Sequence, residues 1–138
     1  MKKLPFSNLK LLLIGSGELG KELVIEAQRL GCEVIAVDKY SNAPAMQVAD
    51  KFFVIDMSNK EFLKNLINDL QPDYVIPEIE SLSIEALKEL ETEGIKIVPN
   101  ARTVEMTMNR EKIRDLAFSD LKIKTANYRH VYNFEDLK

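Results

Sequence analysis

The sequence is poor in the side chains from which most reactive centres are built. Its 138 residues include one cysteine, Cys32, and one histidine, His130. A lone cysteine excludes an internal disulfide, and its place between Gly31 and an apolar run reads as a small buried hydrophobe. One histidine excludes a multi-histidine metal site. A histidine-based triad is equally unsupported, because His130 falls after the core is complete and reads as an exposed or packed side chain. No phosphate loop with a following lysine is present, and nothing in the pattern holds magnesium with ATP. No apolar run approaches a membrane span, and Met1–Asn8 lacks the hydrophobic region of a signal peptide, so the expectation is a cytoplasmic protein with no membrane partner. A net charge of −3 with mixed signs offers no footprint for nucleic acid, and none is expected to bind. Internal repeats and low-complexity tracts are also lacking.

What is present is an ordinary globular composition, 46% hydrophobic and 30% charged, in a chain long enough for one domain with its own core. Its organising stretch is Leu11-Leu12-Leu13-Ile14-Gly15-Ser16-Gly17-Glu18-Leu19-Gly20, an apolar run that breaks into glycines and continues as a helical pattern. Gly15, Gly17 and Gly20 have the spacing G-x-G-x-x-G, in which the first glycine turns the chain, the second admits a ligand to the backbone and the third lets helix and strand pack closely. The first-turn amides of the following helix favour an anion, most often a phosphate. A turn that serves only helix packing would use the same glycines. Asp38 ends the next apolar run, Glu33–Val37, where a dinucleotide-binding domain keeps its ribose-binding acid.

The helical pattern from Glu18 to Leu30 places Leu19, Leu23, Val24, Ala27 and Leu30 on one face. A short helical stretch is expected near Pro44–Val48 and a third strand over Lys51–Ile55. Ser58 and Glu61 are spaced as a capping box, predicting a helix from Asn59 with Phe62, Leu63, Leu66, Ile67 and Leu70 on its buried face. Tyr74–Pro77 is a fourth strand, Ser83–Glu93 a helix and Ile95–Val98 a fifth strand, with Asn100 as the N-cap of the next helix. Strands that are nearly continuous apolar runs, joined by connections too long for hairpins, argue an α/β fold: an open parallel sheet of about five strands with helices on both faces. Ala101–Ser119 reads as two short helices meeting near Met108-Asn109-Arg110, and Tyr128–Tyr132 as a strand. Asn133-Phe134-Glu135-Asp136 opens a helix with no room to finish. The boundary is expected near residue 120, with 1–120 the Rossmann-like domain and 121–138 a linker into something new.

In such a sheet the ligand lies beyond the carboxyl ends of the strands. That edge carries the glycine loop, Asp38, Asp56, Glu78, Glu80 and Asn100. Glu78, which follows a proline at a strand tip, is the acid best placed to enter the crevice; a solvated carboxylate is the alternative. Glu18 could contact a ligand or serve only the helix dipole. The expected ligand has a phosphate at one end and donors such as ribose hydroxyls or an amine at the other. An NAD(H)-binding domain of a dehydrogenase or regulatory protein is the other reading that the glycines and Asp38 allow.

Together, Gly15-Ser16-Gly17-Glu18-Leu19-Gly20-Lys21-Glu22, Glu33–Tyr40, Ala43-Pro44-Ala45-Met46, Pro77-Glu78-Ile79-Glu80 and Thr107-Met108-Asn109-Arg110-Glu111 resemble the N-terminal, pre-ATP-grasp domain of the formate-dependent phosphoribosylglycinamide formyltransferases, ATP-grasp enzymes of purine synthesis. The resemblance runs from about Lys10 to the C-terminus. It implies a homodimeric enzyme that joins formate to glycinamide ribonucleotide with ATP and magnesium, through formyl phosphate. It implies substrate contacts at Gly17, Glu18, Leu19 and Glu78 and an ATP contact at Arg110, with no catalytic residue and no metal ligand in this stretch. The ATP-grasp and C-terminal domains of that family are not in this sequence. The resemblance therefore implies a fragment that binds no cofactor on its own and does not catalyse formylation.

Overall fold

A computed structural model describes residues Asn8–Lys138. The reading of the first seven residues as lacking a signal-peptide core lies outside them. The chain divides into two compact units, one ending at Val104 and the other running from Glu105 to Lys138.

The first unit carries β1 (Lys10–Ile14), α1 (Glu18–Arg29), β2 (Glu33–Asp38), a 3-10 turn (Pro44–Gln47), β3 (Lys51–Val54), α2 (Lys60–Leu70), β4 (Tyr74–Pro77) and α3 (Ile84–Thr92). Its sheet is parallel throughout, in the order β3-β2-β1-β4. Side chains alternate across a strand, so the two faces bury different sets. On one face Leu13, Val34 and Ala36 pack with Val24 and Ala27 of α1 and with Ala43, Ala45 and Met46. The opposite parity, Leu12, Ile14, Ile35, Val37 and Val75, is equally buried, as are Leu63, Ile67, Leu87 and Leu90 of α2 and α3.

Three local expectations need correction in this unit. Ile95–Val98 is not a full strand: the sheet has four strands, and that run adds a single parallel bridge between Val75 and Ile97. The Ile95 amide is spent on the Leu90 carbonyl at the end of α3 (3.0 Å), and Pro99 has no N–H to offer, so the run is tied to β4 through the Lys96 carbonyl and the Val98 amide, both bonded to Val75 (2.8 and 2.9 Å). Ser58 is not the cap of α2. Asp56 takes both the Ser58 hydroxyl (2.6 Å) and its amide (3.0 Å), so Asn59 caps instead, accepting from the Phe62 amide at 3.1 Å, and the helix starts at Lys60. Phe62 and Leu19, expected on buried helix faces, are 57% and 79% exposed.

Helices α2 and α3 are laced by lysines. The Lys60 ammonium contacts Glu85 at 2.8 Å and Glu89 at 2.6 Å, and that of Lys64 contacts Glu89 at 2.7 Å and Glu93 at 2.9 Å. These carboxylates hold both lysine pKa values above their ordinary range. Pairs at the protein surface, even with half-buried lysines, are weak and screened by salt. Replacing Lys64 with methionine is expected to lower the melting temperature slightly at low salt, with the difference closing near ~1 M NaCl.

The helix α4 (Ala101–Met108) comes next, begun by Asn100, whose side-chain oxygen accepts from the Thr103 amide at 2.8 Å. The second unit contains α5 (Arg110–Asp115), capped by Asn109, a π-type turn over Leu116–Asp120 and the short α6 (Phe134–Leu137), capped by Asn133. Tyr128–Tyr132 is not a strand, since it has no backbone ladder to join. Its alternate rings meet one another instead, Tyr128 edge-to-face with His130 at 5.3 Å and His130 tilted against Tyr132 at 6.3 Å between centroids.

Candidate functional site

Parallel register decides what surrounds the glycine loop. Ile14, the last residue of β1, is paired with Val37 on one side and Pro77 on the other, so the next residues of the two flanking strands, Asp38 and Glu78, stand on either side of Gly15-Ser16-Gly17. Both carboxylates close on loop amides. The Ser16 amide donates to Oδ2 of Asp38 at 2.8 Å, and Gly17 faces the carboxylate of Glu78, which its amide stabilises in the charged form. The remaining loop bonds are also internal: the Gly15 amide to the Val37 carbonyl (2.9 Å), the Ser16 hydroxyl to the same carbonyl (3.0 Å) and the Ala45 amide to the Ser16 carbonyl (3.0 Å).

Gly15 and Gly20 are required by this closeness. Gly15 has φ +98°, and a β-carbon there would stand 2.8 Å from a Glu78 oxygen and 2.7 Å from the Ile79 β-carbon. At Gly17 a β-carbon would lie 3.5 Å from the Glu78 carboxylate, and at Gly20 it would press on Leu13 of β1 at 3.0 Å. The first and third glycines therefore do what their spacing implies. At the second a β-carbon would make only ordinary contact with Glu78, whose carboxylate lies on the side of the loop where a phosphate is expected. What remains for an anion is the first turn of α1, where Glu18 and Leu19 are exposed and their amides have no preceding helical turn to bond.

Asp38 is 2% exposed, and its second oxygen accepts from the Lys39 amide at 2.7 Å. An acid committed to two backbone amides inside the fold is not presented to a ribose, which removes the main support for a dinucleotide site. Glu78 differs. It is an exposed residue with its carboxyl group drawn onto the loop. Partial burial raises its pKa above the ordinary glutamate value, the charge of Asp38 adds to the rise, and the Gly17 amide opposes it.

Gly17, Glu18, Leu19 and Glu78 are thus brought together at one edge of the sheet. Asp56 and Glu80 are exposed, and Asn100 is used as a helix cap. Arg110 belongs to the second unit. It is the exposed first residue of α5 and lines a groove of about 550 Å3 with Glu111, Arg114, Tyr128, Arg129 and His130. Sequence reading missed the side-chain cluster behind that groove. Oδ1 of Asp115 accepts from the Tyr128 hydroxyl and meets Nε2 of His130, both at 2.9 Å, while Nδ1 of His130 lies 3.3 Å from Glu111. The available signal was spacing: Glu111 and Asp115 are one helical turn apart, and Tyr128 and His130 alternate. His130, then Tyr128, hold the Asp115 pKa below the ordinary aspartate value. A depressed carboxyl stabilises the fold above its unfolded value and loses that contribution as pH falls through the folded one. Hydrogen-exchange protection of α5 is therefore expected to weaken below about pH 4, and Asp115→Asn to remove that dependence.

Comparison with known proteins fits this architecture. Residues 9–108 match the family model described as the ribonucleotide synthetase preATP-grasp domain. The chain is 68% identical, over its whole length and 35% of the relative's, to the formate-dependent phosphoribosylglycinamide formyltransferase of Prochlorococcus marinus subsp. pastoris. Among solved structures, glycinamide-RNase-transformylase T from Mycobacterium tuberculosis superposes with a TM-score of 0.85 at 41% identity, covering 93% of this chain and 37% of that one. The N5-carboxyaminoimidazole ribonucleotide synthetase of Thermotoga maritima gives 0.77 at 30% identity, over 92% and 34%. The chain spans about a third of the length of the curated relatives it matches. With a parallel sheet, its glycine loop and a family match over most of its length, the chain belongs to the ribonucleotide synthetase preATP-grasp domain family.

Proposed function

We propose that this chain supplies the substrate-binding part of a formate-dependent phosphoribosylglycinamide formyltransferase, an ATP-dependent transferase of de novo purine synthesis. The reaction joins formate to the amine of glycinamide ribonucleotide by way of formyl phosphate. In this reading Gly17, Glu18, Leu19 and Glu78 contact the ribonucleotide: the first-turn amides of α1 take an anionic portion and the Glu78 carboxylate takes the amine. Arg110 contacts ATP. The observation that carries the proposal is the meeting of the Glu78 carboxylate with the Gly17 amide beside the exposed start of α1, in a chain 68% identical to a protein bearing that name. The domain is proposed to end near residue 120.

The described residues contain no group of three or more histidine, cysteine, aspartate or glutamate side chains that could hold a metal ion. Magnesium and most of the ATP site are proposed to belong to the part of the relatives that this chain does not match. A cytoplasmic homodimer completes the proposal. Calorimetric titration tests it. Saturable binding of glycinamide ribonucleotide with no response to NADH is expected; saturable NADH binding without response to the ribonucleotide would replace the proposal with a dinucleotide-binding one. Affinity is expected to be weak, because a site formed between domains loses the donors of its other wall.

A further inference from the structure

We propose that Asp38 is a positioning residue for Glu78: it fixes the Ser16 amide, and through it the glycine loop, and its buried negative charge biases the neighbouring acid. The inference rests on the reading of Glu78 as the group that meets the substrate amine. Its geometric basis is the shared register at Ile14, which sets Asp38 and Glu78 on opposite flanks of one three-residue loop. The loop is then flanked by an acid on each side, Asp38 bonded to the Ser16 amide at 2.8 Å and the Glu78 carboxylate lying against Gly15 and Gly17. Because Asp38 is 2% exposed and also bound by the Lys39 amide, it cannot follow a ligand; Glu78, at the exposed rim, can.

Of the acids that end β2, open α1 and follow β4, namely Asp38, Glu18 and Glu80, one acts on the Glu78 carboxyl. Asp38 is the one whose charge acts on it, and it acts in the same direction as burial. Two acids that repel across a loop are relieved together when a cationic amine arrives, so the pair selects for an ammonium group more strongly than Glu78 alone. A residue that merely held the loop in shape would not have this effect.

The test uses Asp38→Asn, which preserves size and one acceptor while removing the charge. Carboxyl 13C NMR of the ligand-free chain is expected to show the Glu78 midpoint moving down in the variant. Asp38→Glu, which keeps the charge, is the second variant where Asp38→Asn does not fold, and it is expected to keep the Glu78 midpoint raised. A Glu78 midpoint unmoved in folded Asp38→Asn, or lowered in Asp38→Glu, overturns the proposal. A double-mutant cycle with glycinamide ribonucleotide as probe gives the functional readout. Asp38→Asn is expected to weaken binding about tenfold in the wild-type background and to have little effect in a Glu78→Gln background. An equal loss in both backgrounds assigns Asp38 a structural role only. Failure of the wild-type chain to bind the ribonucleotide overturns the proposed function and leaves the NMR result to decide the relation between the two acids.

Discussion

Replacing Gly15 with alanine is expected to destabilise the first unit by about 2–5 kcal/mol and to abolish ribonucleotide binding. Two penalties combine. An L-residue held at φ +98° carries left-handed strain of about 1–2 kcal/mol. The added methyl would also stand 2.7 Å from the Ile79 β-carbon and 2.9 Å from the Ile79 amide nitrogen, closer than atoms approach. That neighbour cannot withdraw freely. The Glu78 and Ile79 amides both donate to the Ile14 carbonyl, at 2.8 and 3.3 Å, so retreat would part β4 from β1. Gly94→Ala separates the two effects, because Gly94 has φ +95° with nothing within 4 Å of an added β-carbon. Urea denaturation of both variants is expected to give a clearly larger loss at Gly15; equal losses would mean that the loop yields to the methyl.

Glu78→Ala is expected to weaken ribonucleotide binding by about 10- to 100-fold, the equivalent of one lost charge-assisted hydrogen bond. The melting temperature should hardly move. A carboxyl whose folded pKa is raised favours the folded state only below its unfolded value, and that contribution is gone once pH has risen through the folded one. Above that range the ionised Glu78 therefore does not stabilise the fold, and Gly17, which is only half-buried, can turn its amide to water instead. Calorimetry and thermal melts on the same preparation check both halves. A large drop in melting temperature would make Glu78 a structural residue.

Periodicity made most of the first unit legible. Apolar runs at Lys10–Ile14, Glu33–Asp38 and Tyr74–Pro77 are strands, and the helical spacing of Val24, Ala27, Leu63, Ile67, Leu87 and Leu90 marks the faces that are buried. Where reading failed, competition for backbone groups decided the outcome. The end of α3 and Pro99 left Ile95–Val98 too little backbone to form a strand, and Asp56 diverted Ser58 from the helix it was spaced to cap. Tyr128–Tyr132 has the alternation of a strand, but alternation says nothing about whether a partner ladder exists. At the site, the strand-tip position of Glu78 was readable from Pro77. The duty of Asp38 was not, because the motif marks an acid at that point without saying whether it faces a ligand or the loop behind it. That depends on the pairing of β1 with β2, a long-range property.

The dependence of the loop on strand pairing also sets where the chain tolerates changes of length. One residue inserted within β2 or β4 would carry its terminal acid about 3.3 Å along the strand and turn it to the opposite side of the sheet. Insertions and deletions should therefore accumulate in homologous chains in the exposed stretch between Lys39 and Asn42, and should be purged from the few residues between each strand's entry into the sheet and its acid.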